Sequence, residues 1–193
     1  MTTEQFYALP MNERAVLVAK DVIAQVESGR YSPTKGHYFN LTRGFAYTCR
    51  EEYTLLEKAE KEGLDVKENF HLIPKGCTAC AIGATILSCT HLGNKLKFSD
   101  LGLGSASVTD LDKTSIRELL ASVFSPEQLL MIETAFEGYR MDSDRYAINV
   151  LGVHLERSVY LDCDAFYDRY DNSTDTIIAI YQNIIDNNGV FVP

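Results

Sequence analysis

The segment from Cys77 to Cys89 constrains the fold more than any other part of the chain. It reads CTACAIGATILSC, and a helix drawn through it has no polar side. A helix that is apolar all round has to lie in the middle of a domain. Its small residues, among them Ala81 and Gly83, would let neighbouring elements approach closely. The sequence therefore predicts a buried central helix over this segment, with the remaining helices wrapped around it.

Amphipathic helices are predicted on both sides of this segment, wherever apolar residues recur at helical spacing. The first stripe ends at Gly29, a residue type that suits the position after a helix. Ser125 and Pro126 mark another start, because serine caps a helix and proline fits its first turn. The predicted helices cover about 12–28, 49–62, 113–123, 126–137 and 173–186, and 143–159 is helical or irregular.

Short strands are predicted at 37–41, 70–73 and 190–192, where the chain looks extended. No linker or internal repeat interrupts the 193 residues, so we expect a single globular domain over 1–193. The expected fold class is mainly α, or α+β with a few short strands. The architecture would be a helical bundle around the buried central helix.

The acidic charge of the chain is unevenly distributed. The formal net charge is −9; residues 1–75 contribute −1 and residues 76–193 contribute −8. An acidic surface repels phosphates and anionic lipids, so we expect no binding to nucleic acid or membranes. The same charge suits a basic protein partner, although it also serves solubility.

The expected location is the cytoplasm. The sequence has no apolar run of about 18 residues, as a membrane-spanning helix would need. Its first residues, MTTEQ, do not look like a signal peptide. Its five cysteines are an odd number in a chain large enough to fold without disulfides, which indicates free thiols in a reducing compartment.

Cys77 and Cys80 have the CxxC spacing that lets two thiolates bind one zinc ion. The chain has no second CxxC, and Cys89 would lie too far along a continuous helix. His71 is the nearest candidate for a third ligand, and Cys49 or Cys163 would have to arrive from elsewhere. We therefore expect no resident cofactor, with a zinc site at Cys77, Cys80 and His71 as the alternative.

Other chemistry of the thiols has less support in the sequence. A redox CxxC would need a strand before it and a βαβ pattern around it, and Leu72 to Pro74 is too short for that strand. A cysteine–histidine hydrolase would need partners that no recognisable motif supplies. The carboxylates of Asp162 and Asp164 flank Cys163, which would raise the pKa of its thiol and weaken it as a nucleophile.

An acidic and aromatic stretch forms the second candidate site. The pair Asp162 and Asp164 begins like a calcium loop, but Tyr167 and Ser173 stand where that loop needs glycine and glutamate. Aromatic residues beside acids are typical of protein-binding surfaces. An aromatic core with an acidic rim is the alternative interpretation. The candidate partner-binding residues are Asp162, Asp164, Tyr167, Asp168 and Tyr170.

Three pieces of the chain, in order, carry a family resemblance. They are the helix from Val16 to Ile23, the core CAIGA from Cys80, and the stretch from Phe166 that leads into Thr176–Ile180. This arrangement resembles a family of small bacterial and phage proteins known only as a domain of unknown function. The resemblance implies an intracellular protein encoded by a bacterium, a phage or a prophage. It implies no activity, cofactor or catalytic residue.

The sequence as a whole favours a non-enzymatic interaction or regulatory protein. The charge asymmetry motivates this hypothesis, and no complete catalytic constellation is recognisable in the sequence. One alternative is a metal- or thiol-dependent enzyme that uses the Cys77 and Cys80 region. Another is a small-ligand-binding protein with a pocket around the aromatic stretch.

Overall fold

The computed structural model describes residues 1–41, 50–93, 96–102, 105–106, 114–138 and 151–193. Within these ranges the chain is mainly α-helical with a few short strands, which confirms the expected fold class. The helices are α1 (Thr3–Ala8), α2 (Met11–Glu27), α3 (Arg50–Lys61), α4 (Ala81–Leu92), α5 (Phe98–Leu101), α6 (Thr114–Ala121), α7 (Pro126–Glu137), α8 (Arg157–Tyr167) and α9 (Ser173–Asp186). The strands are β1 (Tyr31–Pro33), β2 (Phe39–Asn40), β3 (Cys77–Ala79) and β4 (Ser105–Ala106).

Helix α4 is the predicted central helix, and every residue from Ala81 to Thr90 is buried. It packs against α2, α6 and α7. The predicted start of this helix is wrong, because Cys77–Ala79 forms strand β3. Local periodicity could not show this, since the three residues are held extended by pairing with two strands that are distant in the sequence.

The strands form one small sheet with the order β1-β3-β2-β4. Strand β1 is parallel to β3, with Ser32 opposite Thr78, while β2 is antiparallel to both of its neighbours. Only β2 had been predicted, within 37–41. The strand predicted at 70–73 is wrong, since Phe70–Leu72 is a turn of 3-10 helix. The strand predicted at 190–192 is also wrong, because those residues join no sheet.

A glycine in α4 allows the sheet and the central helix to meet. A Cβ atom added to Gly83 would lie 1.6 Å from the carbonyl oxygen of Tyr38. The same oxygen accepts a hydrogen bond of 2.9 Å from the backbone N–H of Cys80. The predicted role of small residues in this helix is therefore confirmed at Gly83.

The outer helices cover the central one with their apolar stripes. Helix α2 packs extensively along α9, and α7 packs along α8. The predicted cap of α7 is confirmed, since the Ser125 hydroxyl accepts from the N–H of Gln128. The cap of α9 is Asn172 and not Ser173. Helix α8 starts at Arg157, and residues 143–150 of the stretch 143–159 lie outside the described residues.

Two tyrosine hydroxyls are satisfied inside the core by hydroxyl groups of α4. The Tyr181 hydroxyl lies 2.6 Å from that of Thr85 and also donates to the carbonyl of Ala81. The Tyr31 hydroxyl lies 3.3 Å from that of Ser88.

No helix in the described ranges combines the length and the apolar character that crossing a membrane requires.

Candidate functional site

The two cysteines of the candidate zinc site are buried. Cys77 lies in β3, Cys80 stands directly before α4, and their exposed fractions are 0% and 2%. His71 lies in the 3-10 turn and is exposed, so the three candidate zinc ligands have different environments. Among the residues that the structure describes, no group of three histidine, cysteine or acidic side chains is placed to hold a metal ion. Cys49 lies outside the described residues, and the zinc site stays a prediction.

Burial keeps these thiols protonated. It raises the pKa of the Cys77 thiol to about 12. It also raises the pKa of Cys80 well above its ordinary value, and the carboxylate of Glu137 adds to this effect. Only the thiolate form of cysteine acts as a nucleophile or as a metal ligand. A buried, neutral thiol instead behaves as a small apolar group that fills space.

One histidine makes a carboxylate contact of the kind found in catalytic triads. His91, at the end of α4, places its Nδ1 3.0 Å from Oδ1 of Asp21 in α2, and its ring stacks on Phe70. In the described part of the chain, no hydroxyl or thiol bonds to its other ring nitrogen. The pair therefore links α4 to α2 and lacks the nucleophile that a hydrolase would need.

Helix α8 carries Asp162, Asp164 and Tyr167 of the acidic and aromatic candidates, and its inner and outer sides differ in burial. The inner side buries Cys163 and Phe166 against the core. Burial, together with the carboxylates of Asp162 and Asp164, raises the pKa of the Cys163 thiol to about 12, in the predicted direction. The stripe of Val159, Cys163 and Phe166 has helical spacing, and this signal could have revealed α8 from the sequence.

The outer side of α8 forms one wall of a surface cleft of about 420 Å³. Leu161 is 59% exposed there, more than any other large hydrophobic side chain in the described ranges. Leu161 is not among the predicted site residues, because no predicted helix covers residues 157–167. The described residues that line the cleft are Leu155, Arg157, Tyr160, Leu161 and Asp164.

Three of the five predicted partner-binding residues lie in α8, while Asp168 is its C-cap and Tyr170 follows it. The ring of Tyr167 packs between Gly138 and the Lys35 ammonium group, whose nitrogen lies 3.8 Å from the ring centre. Tyr170 packs against Phe166, with ring centres 5.4 Å apart. The carboxylates of Asp162 and Asp168 are exposed, and that of Asp164 lines the cleft. The three acids thus face the solvent or the cleft, while the rings of Tyr167 and Tyr170 pack against neighbouring residues of the protein.

Two of these carboxylates occupy positions that do not favour the helix. Asp164 lies in the last turn of α8, and Asp168 is its C-cap residue. The carboxyl end of a helix carries partial negative charge and prefers basic side chains, but the last turn of α8 has none. The charge of the helix end therefore does not favour acids at these two positions.

Comparison of the chain with protein-family models, with curated proteins and with solved structures finds no match in any of the three. The resemblance to a family of uncharacterised bacterial and phage proteins therefore stays a prediction.

Proposed function

We propose that this protein is a non-enzymatic binding protein whose α8 face docks a segment of a partner protein. The α8 face consists of Arg157, Leu161, Asp164 and Asp168, which lie on one side of the helix because their spacing is four, three and four residues. The observation that carries the proposal is Leu161, an exposed leucine at a cleft that Arg157 and Asp164 also line. Exposed apolar surface with a polar rim is typical of protein-binding sites.

The chemistry of the partner follows from the charge around this face. Residues 156–175 contain six acidic and two basic side chains. A complementary segment would carry lysine or arginine residues around one apolar side chain that enters the cleft beside Leu161. Attraction between opposite charges speeds association and weakens as salt screens it.

An enzymatic role has less support. The described thiols are buried and protonated, and His91, which contacts Asp21, has no nucleophile among the described residues at its other ring nitrogen. The described cysteines are free thiols, which supports the expected location in the reducing cytoplasm.

The test compares matched leucine variants of the full chain as affinity baits. Leu161→Ser removes the exposed leucine of the cleft, while Leu55→Ser removes a leucine of α3 that is 51% exposed. Each bait is incubated at low salt with a lysate of the organism that encodes the chain. A captured protein is then purified and titrated against all baits. We expect wild type and Leu55→Ser to bind it equally, and Leu161→Ser to bind about tenfold more weakly.

Equal binding of the purified partner to Leu161→Ser and to wild type would overturn the docking site. Failure of every bait to capture a protein would remove the proposed function itself.

A second pair of variants tests the contribution of the negative charge to binding. Asp168→Asn should weaken the complex at low salt, whereas Glu27→Gln, an exposed acid of α2, should leave it unchanged.

A small-molecule site is the second candidate function, and the size of the cleft favours it. Its volume of about 420 Å³ falls in the range of known ligand pockets, roughly 300–1,000 Å³. A ligand that prefers the folded state raises the melting temperature. A fragment screen by thermal shift tests this function, and a genuine hit should lose its effect in Leu161→Ser but keep it in Leu55→Ser.

A further inference from the structure

Residues 190–193 form an extended segment that is held by two side-chain amides. The amide of Gln128 accepts from the N–H of Phe191 at 2.6 Å and donates to its carbonyl at 3.2 Å. The amide of Asn183 does the same for Val192, at 2.9 and 2.7 Å. In an extended chain, the polar groups of neighbouring residues point to opposite edges. The two amides therefore hold the segment from both sides.

The side chains of the segment alternate between the core and the solvent. Phe191 is fully buried, and its ring meets that of Phe166 edge-on with centres 5.2 Å apart. Val190 and Val192, by contrast, are 44% and 51% exposed. A single buried aromatic anchor between exposed neighbours is the pattern of a peptide bound in a groove.

None of these contacts depends on the segment belonging to the same chain. Within the segment, the amides of Gln128 and Asn183 bond only to backbone groups, which every peptide offers, and the pocket beside Phe166 holds an aromatic ring. The three residues come from α7, α9 and α8, so the groove is assembled by helices that precede the segment in the chain. The backbone groups of Phe191 and Val192 make no hydrogen bond to another backbone group in the described ranges.

A turn with two left-handed residues joins the segment to α9. Asn188 has φ 53° and Gly189 has φ 91°. The N–H of Gly189 bonds back to the carbonyl of Ile184, which ends the helix before the segment begins. Because α9 ends before this turn, release of residues 190–193 from the groove would leave α9 intact.

We propose that the groove of Gln128, Phe166 and Asn183 is a binding site for an extended peptide of a partner protein that carries one aromatic residue. Residues 190–193 fill this site within the chain and act as a built-in competitor. The site is independent of the α8 face, because Phe166 lies on the inner side of α8 and Leu161 on the outer side.

The test uses the full chain with Phe191→Ala, which removes the competing ring, and a fluorescent peptide with the sequence NGVFVP as the probe. A segment tethered next to its site has an effective concentration in the millimolar range. We therefore expect the peptide to bind Phe191→Ala at least about tenfold more tightly than wild type. A peptide with alanine in place of phenylalanine should lose the binding, and so should the protein when Gln128→Leu is added.

Two results would overturn the proposal: a folded Phe191→Ala chain without saturable binding at about 1 mM peptide, or equal binding of the alanine peptide. Should Phe191→Ala fail to fold, amide hydrogen exchange on the wild-type chain decides. The N–H groups of Phe191 and Val192 should then exchange at least about a hundredfold faster than that of Ile184, and faster still with peptide added. Exchange at the same rate as Ile184, or no acceleration by peptide, would show that the segment is a fixed part of the core.

Discussion

Replacing Gly83 with alanine tests how the central helix meets the sheet. The added Cβ would lie 1.6 Å from the carbonyl oxygen and 2.3 Å from the carbonyl carbon of Tyr38. These are backbone atoms that cannot rotate away, so the chain at Tyr38 has to move. The movement would break the bond from the Cys80 N–H to Tyr38 and disturb the neighbouring pair of Phe39 and Ala79.

Two contributions lower the free energy of unfolding of Gly83→Ala, and a third raises it. Overpacking of a core typically destabilises by about 1–3 kcal/mol. A broken buried hydrogen bond adds roughly 1–3 kcal/mol. Alanine favours the helix over glycine by about 1 kcal/mol, which offsets part of the loss. Since the collision is with backbone, we expect the free energy of unfolding to fall by about 3 kcal/mol.

Urea denaturation of Gly83→Ala and wild type measures this change. Ala24→Gly is the matched control, because Ala24 is exposed in α2 and reports helix propensity without packing. The control should be about 1 kcal/mol less stable than wild type. Helix propensity by itself predicts that Gly83→Ala is more stable than wild type. A stability equal to or above wild type would therefore refute the close approach of Tyr38 to α4.

Three further predictions concern a surface acid, a buried hydroxyl and a buried thiol. Asp168→Asn should raise the stability by a few tenths of a kcal/mol in urea denaturation at low salt, because it removes negative charge from the carboxyl end of α8; lower stability would contradict this. Tyr181→Phe should lower the free energy of unfolding by about 1–2 kcal/mol, since Thr85 and Ala81 lose a buried partner; an unchanged urea midpoint would show that the hydroxyl contributes nothing. Burial raises the pKa of Cys77 to about 12, so above about pH 9 the unfolded chain releases a proton that the folded chain retains. Stability should fall as the pH rises from about 9 to 12, by up to about 1.4 kcal/mol per pH unit from this thiol, and Cys77→Ala should lessen the slope; denaturation curves with the same slope would contradict the assignment.

The sequence contains the evidence for the helices that depend on local signals. The all-apolar character of α4 required a central position, and the small side chain of Gly83 indicated a close neighbour. The cap at Ser125 placed the start of α7 correctly, because a capping hydroxyl bonds only a few residues away. Residues of one helix contact each other at three- and four-residue spacing, so the chain itself records their pattern.

The candidate site was only partly predictable. The carboxylates of α8 were recognised as candidates, but the sequence did not show which of them face outward. The sequence pattern placed the tyrosines and the acids in one candidate site, whereas the ring of Tyr167 packs against Gly138 and the Lys35 ammonium group. Leu161 looked like any other apolar residue, because its exposure depends on how α8 packs on α7.

The sequence by itself determined most of the helices, the acidic charge and the need for a buried centre. The tertiary structure decided that Cys77–Ala79 is a strand, that Leu161 is exposed, and that Gln128 and Asn183 hold the segment around Phe191. Gln128 and Phe191 are 63 residues apart, and the paired strand residues Ser32 and Thr78 are also distant in the sequence. Contacts of this kind form only when the whole chain is packed, so no local pattern in the sequence records them.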